Sequence, residues 1–195
     1  LSGYGLAPEM RPGDAEILKC GRVDWLGFNY YQPTRVQAPK EKIDESGYPK
    51  FADPYIWPER KMNVYRGWEI YPKGIYDFGM KMKREYPELK FFISENGMGV
   101  EHEHRFRNEG GEIQDDYRIE FVQEHLEWVM KAIEEGAQCM GYHYWGVIDN
   151  WSWSNAFKNR YGFIEVDLMN NYERRLKKSA HWVKNLIEQR DKEEI

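Results

Sequence analysis

The chain reads as an α/β protein built on a parallel sheet. Short apolar runs alternate with helical patterns, the signature of successive βα units. The segments that leave the strands are unusually long. Three strands are few for a free-standing sheet, and right-handed crossovers with long strand-end loops describe part of a closed (β/α)8 barrel, whose chemistry sits at the carboxyl ends of the strands.

The first strand is "VDWLGFNYY", residues 23–31, rich in aromatics and bounded by the turn-forming "QP". A polar, proline-rich segment from Ala38 to Pro72 follows. It is too long for an ordinary connection and is expected to be a functional loop. "KGIYDFGMKMKREYP", 73–87, reads as a helix stopped by Pro87, and "KFFISEN", 90–96, as the second strand. After the loop "GMGVEHEHRFRNEGGE", Asp115 or Asp116 is expected to cap a helix whose buried stripe is Ile119, Val122, Leu126, Val129 and Ile133.

Gly136 ends that helix, and "QCMGYHYWGVID", 138–149, makes the third strand. "RYGFIEVDL" reads as a short extended piece. The final helix places Leu176, Ala180, Val183 and Ile187 on one side, with "QRDKEEI" as a frayed, solvated end.

Composition narrows the function classes. The 195 residues suffice for one domain with a core, and a formal charge of -5 argues against a nucleic-acid surface or a polybasic membrane patch. No apolar run approaches the roughly 18 residues of a spanning helix, and the N-terminus lacks the layout of a signal peptide, so a cytoplasmic location is expected. Cys20 and Cys139 form no CxxC and read as reduced thiols, while His102 and His104 read as a solvated loop without metal. The outlier is aromatic content, 16% of the chain, with many rings beside polar residues. That mixture suits sugars, whose C–H faces stack on rings while their hydroxyls need polar partners.

Glu95 falls at the carboxyl end of the second strand. Burying a carboxylate there is costly unless it serves chemistry, caps a helix or meets a cation. Asn29 and Tyr31 end the first strand and Trp145 to Asp149 the third, so three strand ends converge on one mouth.

These stretches carry a resemblance. "ISENG" resembles the I/V-T-E-N-G motif of family 1 β-glycosidases, "DWLGFNYY" their D-F-L-G-I-N-Y-Y strand, and "YWGVIDNWSW" their Y-F-x-W-S-L-x-D-N-F-E-W segment. "GWEIYPKGI" and "NRYGFIEVD" are similar in turn, so the match runs in order along nearly the whole chain. The resemblance implies that Glu95 is the nucleophile of a retaining glycosidase, forming a covalent glycosyl-enzyme. It implies that Tyr31 hydrogen-bonds Glu95, that Asn29 borders the sugar's 2-hydroxyl and that Trp145 lies under the sugar ring. No cofactor is implied.

One departure points to the substrate. Where β-glucosidases of this family carry glutamate in "NFEW", this chain has Ser152, which removes a charge that would repel a phosphate on O6. Members acting on 6-phosphorylated sugars carry serine there, then a lysine and a tyrosine. Tyr161 stands at the tyrosine's spacing, but Asn159 occupies the lysine's, with Lys158 one residue earlier and Arg160 one later. Lys158 is the preferred candidate to complete the phosphate site. Trp153 resembles the phospho-galactosidases, and gluco versus galacto preference stays open.

The family's second glutamate, in an N-E-P motif, does not occur. The first strand resembles the sixth of eight, so residues 1–195 are expected to be the C-terminal part of a single barrel domain. Such a piece leaves strand edges unpaired. It is expected to join the N-terminal part of the same barrel, or to associate with itself as a homo-oligomer. The expected activity is hydrolysis of 6-phospho-β-glucosides, absent from the isolated chain. The alternatives are a β-glucosidase for unphosphorylated sugars and a non-catalytic sugar-binding or assembly subunit.

Overall fold

In the computed structural model, which describes Gly5 and residues 7–193, the elements in chain order are α1 (Asp14–Cys20), β1 (Trp25–Asn29), β2 (Val36–Gln37), β3 (Asp53–Pro54), β4 (Lys61–Asn63), β5 (Trp68–Ile70), α2 (Lys73–Glu85), β6 (Lys90–Asn96), β7 (Val100–Glu101), a 3-10 turn (Glu103–Phe106), α3 (Asp116–Glu134), β8 (Cys139–Tyr144), β9 (Asn159–Arg160), β10 (Ile164–Asp167), β11 (Glu173–Leu176) and α4 (Lys178–Glu193). The chain divides into two compact units, Leu1–Trp25 with Thr34–Glu59 and Leu26–Pro33 with Arg60–Ile195.

In the first unit α1 buries none of its side chains. The strands β2 and β3 pair antiparallel, Val36 opposite Pro54. Asp53 holds the intervening loop by accepting the Lys40 N–H at 2.8 Å and pairing with Lys50 at 2.6 Å. The long proline-rich segment is therefore not one loop. It divides between the units at Glu59, and its second part folds as the β4–β5 hairpin, Lys61 opposite Ile70.

The second unit is built on a three-stranded sheet in the order β1-β6-β8. Strands β6 and β8 are parallel, with Phe91 opposite Cys139 and Asn96 opposite Tyr144. β1 and β6 advance in the same sense, Asn29 meeting Ser94 and the Tyr30 N–H reaching the Glu95 carbonyl at 2.8 Å. Residues alternate between faces of a strand. One face carries Phe91 and Ile93, which pack with Ile75 and Met82 of α2 and with Val129 and Ala132 of α3. Phe28 adds a stacked contact with Phe78 at 3.7 Å. Each of the larger of these side chains contributes about 1.5–3 kcal/mol when removed from water.

The opposite face is bare. There Gly27 adjoins Phe92 and Ser94, and Phe92 meets His143 edge-on at 5.5 Å. Among the described residues no helix covers it, although parallel sheets ordinarily bury both faces.

Three expectations are corrected. The stripe of α3 is rotated: its buried residues are Arg118, Phe121, Val122, His125, Val129 and Ala132, while Ile133 is exposed. Asp115 stands at the N-cap position without bonding the helix amides. Its Oδ1 instead accepts the Ser179 N–H at 2.8 Å and its Oδ2 the Ser179 hydroxyl at 2.5 Å, tying α3 to α4. Leu176 belongs to β11, and both it and Ile187 are exposed. Ile133 and Ile187 lie open because they line an apolar groove of about 730 Å³ beside β8, with Met130, Met140, Trp182 and Leu186. Of the expected frayed end, helix α4 persists to Glu193 and the last two positions lie outside the described residues.

Cys20 and Cys139 are free thiols, Cys139 part-buried in β8. Among the described residues no helix is long and apolar enough to cross a membrane, and no three His, Cys, Asp or Glu side chains gather as a metal site.

Candidate active site

Glu95 is the sixth residue of β6, at the carboxyl end of the central strand. The Tyr31 hydroxyl donates to its Oε2 at 2.8 Å. Burial pushes the Tyr31 phenol far above its ordinary value, and the hydrogen bond to Glu95 pushes it further. Tyr31 therefore stays a donor at any working pH and holds one oxygen of the carboxylate in place.

The neighbouring backbone is fixed from several directions. Asn96 is fully buried, its Nδ2 donating to the Tyr30 carbonyl at 2.7 Å and its Oδ1 accepting from Tyr142 at 2.5 Å. The Trp145 N–H donates to the Asn96 carbonyl at 2.8 Å, which sets Trp145 beside the strand that carries Glu95. A cis peptide joins Trp145 to Gly146, and the indole is 40% exposed.

The glycines of "ENGMG" answer to close approaches. A Cβ on Gly97 would sit 1.9 Å from the Trp145 carbonyl oxygen, and one on Gly99 would sit 2.5 Å from the Tyr161 ring. Glycine is required wherever another group comes this near the backbone.

Beneath this loop lies a cluster of buried charge that the sequence reading did not find. Arg118 is ion-paired to Glu103 and, at 2.9 Å, to Asp115, and it donates to the Met98 carbonyl at 2.6 Å and the Tyr144 hydroxyl at 3.1 Å. Lys177 bridges Glu103 at 2.5 Å and Asp149 at 2.9 Å. Asp149 also accepts the Gly162 N–H at 2.8 Å, so it is a structural anchor and not a group of the mouth. Burial pulls the Arg118 pKa down, but Glu103, Tyr144 and Asp115 together outweigh it and hold the guanidinium well above its ordinary value. Each ion is matched by an opposite one, which is how charge survives away from water. Residues 118, 122, 125, 129 and 132 recur at helical spacing, a signal obscured because two of the five are polar.

Asn29 accepts from the Ser94 hydroxyl at 2.6 Å on the bare face of the sheet. Ser152 opens a tight hairpin, exchanging backbone hydrogen bonds with Ala156 at 2.9 and 3.0 Å, and Trp153 at its tip is almost wholly exposed. Tyr161 is buried, its carbonyl accepting from the Tyr144 hydroxyl at 3.0 Å. Asn159 is buried against Asn155, the two carboxamides 3.0 Å apart.

Lys158 does not join Asn159 and Tyr161. Its Nζ pairs with Glu101 at 3.1 Å, and with Arg160 it lines a separate cavity of about 200 Å³ with His102, His104 and Glu165. Lys158 sits in the bend before β9, its N–H donating to the Asn155 carbonyl at 2.9 Å, and from there its side chain reaches Glu101 of β7. A further cation, not singled out from the sequence, is Arg66, stacked on Trp68 with its Cζ 4.4 Å from the ring centroid.

With this geometry in view, comparison with known proteins is informative. The model of glycosyl hydrolase family 1 matches residues 2–192. The chain belongs to glycosyl hydrolase family 1. Family 1 membership makes the three-stranded α/β unit part of a (β/α)8 barrel, as its solved relatives indicate. The chain is 53% identical to the 6-phospho-β-glucosidase GmuD of Bacillus subtilis (strain 168) over 192 residues, 96% of this chain and 41% of the relative. It is 36% identical to a 6-phospho-β-galactosidase of Clostridium acetobutylicum over 201 residues, 95% of this chain and 41% of that protein. The solved structure of a family 1 β-glucosidase from Thermotoga maritima superposes with a TM-score of 0.71 at 30% identity, covering 86% of this chain and 35% of that one. The chain thus spans about two-fifths of the length of the curated relatives it matches.

Proposed function

We propose that this chain carries the nucleophile part of a retaining 6-phospho-β-glycosidase and turns over together with the remaining strands of the barrel. The observation that carries this reading is the Tyr31–Glu95 hydrogen bond of 2.8 Å at the carboxyl end of β6. A carboxylate that is hydrogen-bonded, oriented and open at a strand end is what a covalent mechanism needs.

In the first step a Glu95 oxygen attacks the anomeric carbon, forming an ester as the bond to the aglycone oxygen breaks. That oxygen takes a proton from a second carboxylic acid about 5–5.5 Å from Glu95, supplied by the remainder of the barrel. Water then attacks the same carbon, giving its proton to that second carboxylate, and Glu95 is released. Asn29 takes the sugar's 2-hydroxyl, where a contact that strengthens in the transition state raises the rate. Trp145 underlies the ring.

Ser152 supports a 6-phosphorylated substrate, as does the 53% identity to a 6-phospho-β-glucosidase. Ser152, Asn159 and Tyr161 would receive the phosphate side, with the exposed Trp153 beside them and Lys158 outside.

The test is covalent trapping of the complemented enzyme with a 2-fluoro 6-phospho-β-glucoside, followed by peptide mapping. The label is expected on Glu95, and Glu95→Gln is expected to abolish both labelling and turnover. A label elsewhere with continued turnover overturns Glu95 as nucleophile. A higher kcat/KM for the unphosphorylated glucoside overturns the phosphosugar reading.

A further inference from the structure

A phosphate dianion brought into a partly buried site needs fixed positive charge to offset its lost hydration. Lys158 is committed to Glu101 at 3.1 Å, and Arg160 lies 3.6 Å from the buried Asp149. Arg66 has no such commitment. It is half-buried, its Nε is sealed from water without a hydrogen-bond partner, and among the described residues no carboxylate stands within ion-pair distance. A guanidinium placed this way is an unanswered cation, and its planar fork of donors suits a phosphate.

Its position is specific. Arg66 lies in the turn between β4 and β5, and Asn63 at the start of that turn is buried and donates to the Gly99 carbonyl at 2.9 Å. The turn is thereby pinned to the loop that follows Glu95. The guanidinium stacks on Trp68, whose ring meets the Tyr31 ring edge-on at 5.5 Å. On its other side, with the Asn155 carboxamide turned so that its oxygen faces the cation, Arg66 Nη2 donates to Asn155 Oδ1 at 3.2 Å. Asn155 lies in the hairpin that Ser152 and Ala156 close, and Asn159 is its neighbour. Arg66 thus stands between the Tyr31–Glu95 wall and the Ser152 hairpin.

We infer that Arg66 supplies the positive charge that binds the phosphate on O6 of the substrate sugar, in the position Lys158 does not fill. This rests on the 6-phosphosugar reading above. Asn159 adds a neutral contact, and the cation arrives from the β4–β5 turn instead of from β9.

The experiment uses the complemented enzyme and two substrates, 4-nitrophenyl β-glucoside 6-phosphate and 4-nitrophenyl β-glucoside. Arg66→Gln is expected to lower kcat/KM for the phosphorylated substrate on the order of 100-fold, mainly through KM, while the neutral glucoside changes less than about three-fold. Arg66→Lys, which keeps the charge and loses the fork, is expected to fall between. Inhibition by inorganic phosphate is expected to weaken in parallel. Equal losses on both substrates would show a packing role and overturn the inference. A preference that survives Arg66→Gln but disappears in Lys158→Ala overturns it too, leaving the phosphosugar reading intact. A wild-type enzyme that favours the neutral glucoside defeats that reading, and this inference with it.

Discussion

Tyr31 and Glu95 lie 64 positions apart, and the phenol donates to the carboxylate at 2.8 Å. The contact joins the end of the first sheet strand to the end of the central one, so it serves geometry as well as charge. Removing it by Tyr31→Phe leaves the ring packed on Trp68 and deletes one hydrogen bond to a charged group, an interaction of about 1.5–3 kcal/mol. The expected result is a fall in kcat of about ten- to a hundred-fold in the complemented enzyme, with little change in thermal midpoint. Steady-state kinetics and a melting curve on the same sample check it.

Arg118 answers two buried carboxylates at once. Replacing it by Met strands Asp115 without its cation and leaves Glu103 to Lys177 alone, and breaking a buried pair from one side costs about 3–5 kcal/mol. Arg118→Met is expected to destabilise by that amount in urea unfolding. Adding Asp115→Asn to the same chain is expected to return part of the loss, because the stranded charge is gone.

Gly97 faces the Trp145 carbonyl too closely for any side chain. Gly97→Ala is expected to push Trp145 away and cost at least about 2 kcal/mol, since overpacking against backbone has no flexible atom to yield. Indole fluorescence and kcat/KM together check it. Both are expected to change, and an alanine variant with native values of each contradicts the close approach.

His125 is buried with its Nδ1 against the Phe121 carbonyl at 2.7 Å and its Nε2 unpartnered. Burial holds its pKa down to about 4. Between that value and the unfolded value of about 6.5, the unfolded chain binds a proton that the folded chain does not, so stability rises with pH across this window and is lost as pH falls. From pH 7 to pH 5 the loss from this one group is about 2 kcal/mol. His125→Phe is expected to flatten that part of the urea midpoint-versus-pH curve.

The strand ending in Glu95 could be read directly, because an apolar run that closes on a carboxylate and two glycines has few uses. That Tyr31 partners it was implied by the resemblance of "DWLGFNYY" to the family's strand, since position at a strand end does not by itself pair the two. The buried ion cluster could not be read that way. Apolar periodicity treats Arg118, Asp115 and Glu103 as surface, and their burial depends on partners as distant as Lys177, 74 positions from Glu103. Arg66 was hidden differently, inside a polar segment that looked like one long loop. Only the pairing of Lys61 with Ile70 shows that a hairpin aims it. Lys158 stood one residue from the spacing required, in the bend before β9, and from that bend it pairs with Glu101.

The bare side of the sheet has a further consequence. A surface with Phe92 and His143 on it has no helix among the described residues to shield it, so under the proposed function its cover is the remainder of the barrel, and exposing it should raise the binding of apolar dyes.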